Sequence, residues 1–180
     1  LFDNIILYTN VGSGGQGALY ITGSTTEVTI KNSNLPCNRV SSSNYGGALK
    51  ITGATVSIIN CSYSDNVLSA IQGSAILIEG NTANVSIFDT IFENNEAASG
   101  GAICITNGTV TINNSCFNSN KSVSNSDNSG GGAVLIQAST NGTTTNVTFD
   151  NCSFTNNIAS GSSQDGGAVN ITNLNSPTCI

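Results

Sequence analysis

The 180-residue chain contains no histidine, methionine or tryptophan, only two prolines and only four basic residues. Each shortage removes a class of function. Without His, and with no C-x-x-C pair, nothing in the sequence points to a zinc site or any other resident metal or cofactor. Lys31, Arg39, Lys50 and Lys121 are scattered, and four cations against a net charge of -6 cannot neutralise a row of phosphates, so nucleic acid is excluded as a partner. No apolar run approaches the roughly 20 residues needed to cross a bilayer, which argues against membrane insertion by this segment. A signal peptide and an initiator Met are also missing. The chain starts in mid-pattern at Leu1, and the expectation is a segment cut from a longer precursor or polypeptide.

What is present is repetition. The stretch Ser99 to Asn120 reads as a Gly-Gly-Ala opening, an alternating strand, a turn, a second alternating strand, an Asn, an aromatic residue and another Asn. Ala18, Ala48, Ala75, Ala102, Ala133 and Ala168 mark successive openings, with spacings of 30, 27, 27, 31 and 35 residues. Leu19, Leu49, Ile76, Ile103, Val134 and Val169 follow them, and Ile21, Ile51, Ile78, Ile105, Ile136 and Ile171 stand two residues further on. Period-two alternation predicts a strand with one buried face. The second strand repeats Val28, Val56, Val85, Val110 and Val147, then Ile30, Ile58, Ile87, Ile112 and Phe149.

Two polar columns follow. Asn32, Asn60, Asp89, Asn114 and Asn151 form the first; after Leu35, Tyr63, Phe92, Phe117 and Phe154, the second is Asn38, Asn66, Asn95, Asn120 and Asn157. A repeat this short cannot bury its own apolar face, so repeats must stack, like residue over like residue, at about 4.8 Å per coil. The fold predicted is all-β, a right-handed parallel β-helix (solenoid) of about six coils, in a single domain spanning residues 1–180. Its Asn columns are expected to pass amide hydrogen bonds between coils and so satisfy groups otherwise buried unpaired. Asp89, unable to donate when ionised, is expected to lean towards solvent or accept from Asn60 or Asn114.

The polar stretches Lys121 to Gly130, Ala138 to Asn146 and Ile158 to Asp165 are expected to bulge outward as loops. Nine Asn-x-Ser/Thr triplets and six cysteines point to an extracellular or cell-surface location with structural thiols. Asn84, Asn107, Asn113, Asn141, Asn146 and Asn170 are the candidate glycan acceptors; Asn60, Asn120 and Asn151 lie in ladder columns, where burial would block attachment. Cys37, Cys61, Cys104, Cys116, Cys152 and Cys179 are the disulfide candidates. Cys37 with Cys61, or Cys104 with Cys116, is possible on sequence distance; Cys61 and Cys152 stand three coils apart, too far to bridge. Cys104 falls between Leu77 and Leu135 on the outer face, a stripe against which another chain or a loop could pack.

The paired signature GGA[ILV] and F-x-x-N, seen as Gly100-Gly101-Ala102-Ile103 with Phe117-Asn118-Ser119-Asn120, as Gly131-Gly132-Ala133-Val134 with Phe154-Thr155-Asn156-Asn157, and at Phe92-Glu93-Asn94-Asn95, resembles the polymorphic outer membrane protein repeat. That resemblance implies a surface-exposed β-helix, commonly an adhesin, without enzymatic activity. Leu35-Pro36-Cys37-Asn38 and Tyr63 depart from the pattern, and no membrane-inserting barrel is present. The rival class is a polysaccharide lyase or hydrolase, since β-helices also resemble the pectate lyase family. Such a site needs clustered carboxylates and a cation, and the chain offers only Lys50 beside Glu79, read as a surface ion pair. A Thr column on the first strand is too broken for ice binding, and Gly14-Gly15-Gln16-Gly17 lacks the Asp of a calcium-binding glycine repeat. If Ile180 were followed by Leu1 the columns would continue in register. The expected function is therefore a structural or adhesive β-helix, glycosylated and stacking head to tail on copies of itself into filaments, with a monomeric adhesin passenger as alternative and host-surface or matrix glycans as further partners.

Overall fold

A computed structural model describes residues 1–12, 17–40, 46–125, 129–137, 145–161 and 164–172. Gly14, Gly15, Gln16, Asp127, Asn141, Cys179 and Ile180 lie outside the described residues. Among those described there is no helix, and all strand pairing is parallel.

Each coil passes four ladders in turn. The opening ladder contains Leu19–Thr22, Leu49–Thr52, Ile76–Glu79, Ile103–Ile105, Val134–Gln137 and Val169–Thr172. The valine ladder contains Phe2–Asp3, Glu27–Lys31, Thr55–Ile59, Asn84–Phe88, Gly108–Asn113 and Thr145–Asp150. The aromatic ladder is Ser62–Ser64, Ile91–Glu93, Cys116–Asn118 and Ser153–Thr155. The return ladder contains Val11–Gly12, Arg39–Val40, Val67–Gln72, Glu96–Ser99, Lys121–Ser122 and Ile158–Ala159. Three faces are thus six strands deep, as expected, while the aromatic face is four deep, so about four turns are built on all four ladders.

Register follows the sequence columns residue for residue: Val85 pairs with Val56 and Val110, Ile87 with Ile58 and Ile112, Phe92 with Tyr63 and Phe117. A one-residue slip would turn every one of these inward side chains to solvent. Burying them drives the stacking, because each large apolar side chain contributes roughly 1.5–3 kcal/mol gross on full burial. The core is one continuous shaft that includes Ala75, Ile76, Ile78, Ala83, Val85, Ile87 and Phe92 of a single coil. Tyr63, Phe92, Phe117 and Phe154 stack face to face at 5.3, 4.8 and 4.7 Å, close to the strand spacing itself.

The Gly-Gly-Ala opening uses its two glycines differently. Gly100 has φ 59°, a left-handed conformation that costs other residues roughly 1–2 kcal/mol. Gly101 has no room for a side chain, since a Cβ would run into the backbone of Gly132 and Lys121.

Two expected loops are partly strand. Lys121–Ser122 and Ile158–Ala159 continue the return ladder, and Ser129–Gly130 pairs with Gln164–Asp165 in a further short ladder. The extra residues of the longer coils stack on one another, so their backbone groups find partners in the neighbouring coil rather than in solvent.

Candidate functional site

The two asparagine columns differ in kind. In the second, Asn38, Asn66, Asn95 and Asn120 are fully buried. Asn66 Nδ2 donates to Asn95 Oδ1 at 2.9 Å and to the Leu35 carbonyl at 3.0 Å; Asn95 Nδ2 donates to Asn120 Oδ1 at 2.9 Å and to the Tyr63 carbonyl at 3.0 Å. Asn120 repeats this with Asn157 Oδ1 and the Phe92 carbonyl, and Asn157 Nδ2 reaches the Phe117 carbonyl. Each Oδ1 also accepts a backbone N–H, as Asn95 Oδ1 does from Asn66 at 3.2 Å. Both amide hydrogens and the carbonyl are therefore engaged, so a buried polar column carries no unmet group here.

The first column is not a buried ladder. Asn32, Asn60, Asp89, Asn114 and Asn151 are exposed and all have φ between 50° and 52°. The left-handed corner selects Asn there and turns its side chain to water, which corrects the expectation that burial shields Asn60 and Asn151. Asn60 Nδ2 still donates to Asn32 Oδ1 at 2.9 Å, Asn32 Nδ2 to Asp3 Oδ1 at 2.9 Å and Asn151 Nδ2 to Asn114 Oδ1 at 2.6 Å. Asp89 is solvent-exposed, one of the two positions expected for it. The hydrogen bond from Asn32, together with Lys31, holds the Asp3 carboxyl below its usual range.

A third polar column escaped the sequence reading. Ser33, Cys61, Thr90, Ser115 and Cys152 directly follow the left-handed corner, and each donates to the carbonyl two residues earlier. Ser33 Oγ, Thr90 Oγ1 and Ser115 Oγ also accept backbone N–H groups from the preceding coil. The signal was a recurrent small hydroxyl or thiol immediately after each corner Asn or Asp. Cys61 and Cys152 stand in this column as weaker substitutes for a hydroxyl.

The five described cysteines are free. Cys61 faces the shaft, whereas Cys37 occupies a left-handed corner at φ 56°. Cys104 is buried on the opening ladder and Cys116 is exposed on the aromatic ladder, so neither pairing allowed by sequence distance is formed. Burial pushes the Cys61 and Cys104 thiols up. Leu77, Cys104 and Leu135 form their own buried cluster, and Gly100 lies against Leu135. The outer stripe is therefore covered by the chain's own turn, one of the two possibilities left open by the sequence.

Of the candidate acceptors, Asn84 is exposed, and Asn107, Asn113 and Asn146 are half-buried. Asn113 Nδ2 donates to Asp150 Oδ2 at 2.9 Å. Asn170 departs from the outward, accessible position expected: it is 7% exposed, its Nδ2 donating to the Ser129 carbonyl at 3.2 Å. The residues added to the longer coil lie over it.

Lys50 Nζ lies 3.0 Å from Glu79 Oε1, the ion pair read from the columns, and its side chain is only 12% exposed. Thr52 Oγ1 donates to the same carboxylate oxygen at 2.9 Å, and Lys50 sits 5.9 Å from the Tyr20 ring centroid. Hydrogen bonds with Thr22 and then Thr52 hold the Tyr20 phenol below its usual pKa. The cation is already matched by one carboxylate, and no group of three or more metal-ligating side chains occurs among the described residues.

The valine ladder presents a contrasting surface. Thr29, Ser57, Ser86, Thr111 and Thr148 pair in register across five coils on its outer side. Thr55, Asn84, Thr109 and Asn146 form the adjacent column, and Ile59 and Phe88 lie on the other flank. The period-two pattern that places the inward residues of this strand places these outward ones as well.

No curated protein and no solved structure matches the chain. Residues 89–106, which run from the Asp89 corner through Phe92-Glu93-Asn94-Asn95 to the Gly100-Gly101-Ala102-Ile103 opening, match the Chlamydia polymorphic membrane protein (Chlamydia_PMP) repeat, so the match rests on part of one turn of a parallel β-solenoid.

Proposed function

We propose that the chain is a non-enzymatic, surface-exposed β-solenoid of the adhesin type, a rigid stalk that presents its faces to an extracellular partner. The observation that carries this reading is where the repeat match falls. Its Phe-Glu-Asn-Asn and Gly-Gly-Ala-Ile segments hold the Asn95 rung of the buried ladder and the Gly100-Gly101 corner, and the same columns recur in the neighbouring coils at Asn66 and Asn120 and at Ala75 and Ala133. Fold alone does not assign an activity. The paired state of Lys50 supports binding over catalysis, since an ammonium held by Glu79 on a side chain only 12% exposed is poorly placed to receive a substrate carboxylate.

The test is binding of the fluorescently labelled chain to a panel of live cultured cells, run beside an assay for release of reducing or unsaturated ends from pectin and other uronate polymers. Saturable cell binding without cleavage is expected. Cleavage abolished by Lys50→Ala would overturn the reading in favour of a lyase.

End-to-end stacking of copies is a second reading, favoured by the one-way sense of the buried Asn ladder: each coil offers an Oδ1 to the coil before it and N–H groups to the coil after it. An added coil would be accepted in a single orientation. Filaments with one polarity under electron microscopy are the expected result, and particles that stay discrete at high concentration would remove it.

A further inference from the structure

The outer side of the valine ladder is a regular field of hydroxyls. Thr29, Ser57, Ser86, Thr111 and Thr148 lie in one unbroken register, at the strand spacing of about 4.8 Å. Beside them stand Thr55, Asn84, Thr109 and Asn146. Among the described residues no side-chain hydrogen bond engages the five hydroxyls, and all five are half-buried or exposed, so they are open to an outside partner.

We infer that this face binds an uncharged polysaccharide, its chain lying along the solenoid axis. The inference rests on the adhesive reading above and names its partner. Charge complementarity selects the partner first. Between Thr55 and Thr148 the two columns carry no ionisable side chain, while Glu27, the Lys31–Asp3 pair and Asp150 stand only at the margins. A polyanion or a basic peptide would find nothing to neutralise it. The hydrogen-bonding type selects next: every Ser and Thr hydroxyl both donates and accepts, and matches a ligand that is itself built of hydroxyls. The period selects last, because the coil spacing is close to the length of one pyranose in an extended chain, so one sugar falls on each coil. Ile59 and Phe88, paired side by side and half-buried at the edge of the column, supply apolar contact for the C–H face of the ring.

The test is co-sedimentation of the full chain with insoluble cellulose and with chitin, together with cell binding by the same samples. Ser57→Lys combined with Thr111→Lys places two unpaired charges in the column without touching the shaft; Ile91→Lys on the aromatic ladder, already 48% exposed, is the control. Both variants are first checked for an unchanged thermal midpoint. The expected result is sedimentation of the wild-type chain and the control, with about tenfold or greater loss of affinity in the double variant. Equal sedimentation of all three would overturn the assignment of the face. Cell binding without sedimentation on either polymer would overturn this inference and leave the adhesive reading intact, whereas loss of both would remove the two together. Inhibition of ice recrystallisation without sedimentation would reassign the array to ice.

Discussion

Replacing Asn95 by Ala tests whether the buried ladder supports the shaft. The side chain occupies one rung, and its removal strands the Asn66 backbone N–H, one Asn66 Nδ2 hydrogen and one contact to the Tyr63 carbonyl, while Asn120 Oδ1 keeps only the backbone donor. A buried polar group left unsatisfied costs about 1–3 kcal/mol, and two donors in a site without solvent place the loss at roughly 3–5 kcal/mol. The comparison is Asn60→Gly. It removes an exposed Asn–Asn bond of the same 2.9 Å length while relaxing a φ of 52°, so the two changes nearly cancel, to within about 0.5 kcal/mol. Equilibrium urea unfolding followed by circular dichroism reads both. With a slope of about 2 kcal/mol/M the Asn95→Ala midpoint falls by roughly 1.5–2.5 M and the Asn60→Gly midpoint stays in place. Equal midpoints for the two variants would refute the reasoning, because they would mean that burial does not distinguish the columns.

Tyr63 breaks the phenylalanine stack with a fully buried hydroxyl that has no hydrogen-bond partner among the described residues, so Tyr63→Phe is expected to stabilise the chain by about 1 kcal/mol in the same urea experiment. Desolvation raises the folded pKa of Cys61, Tyr63 and Cys104, with usual values of 9.0, 10.0 and 9.0. The unfolded chain therefore releases these protons first, the stability is fully present below about pH 8.5, and it declines as pH rises beyond that; Cys104→Val should flatten the decline in a thermal-midpoint series. Under native conditions a thiol-alkylating reagent should modify exposed Cys116 and spare buried Cys61 and Cys104, read by peptide mass spectrometry. If the chain is produced in a glycosylating secretory host, glycopeptide mapping should find Asn120 and Asn170 bare, since both are buried with Nδ2 already bonded.

The inward half of the fold was legible because it is written in columns. Val56, Val85 and Val110, or Tyr63, Phe92 and Phe117, occupy equivalent places in successive repeats, and only in-register parallel stacking buries them all. The return ladder was not legible: its buried column runs Val40, Leu68, Ala97 and Ser122, which differ in size and polarity, so no like residue recurs from coil to coil. Burial at the corners was misread for a different reason. Both Asn columns look alike as letters, and what separates Asn60 from Asn66 is the sign of φ at one of them, a backbone property that the residue name permits without requiring. The outward hydroxyls of the valine ladder were in plain view, but the first strand's Thr column drew the attention, and the second strand's Ser and Thr vary enough as letters to hide a continuous column.

Rungs of the buried Asn ladder are separated by 28, 29, 25 and 37 residues along the chain, yet the hydrogen bonds between them keep the same lengths to within a few tenths of an ångström. Each turn can therefore be lengthened or shortened between its corners while the bore of the shaft stays constant. A lineage carrying this architecture is free to rewrite what it displays to its surroundings, turn by turn, without redesigning the column that holds the display in place.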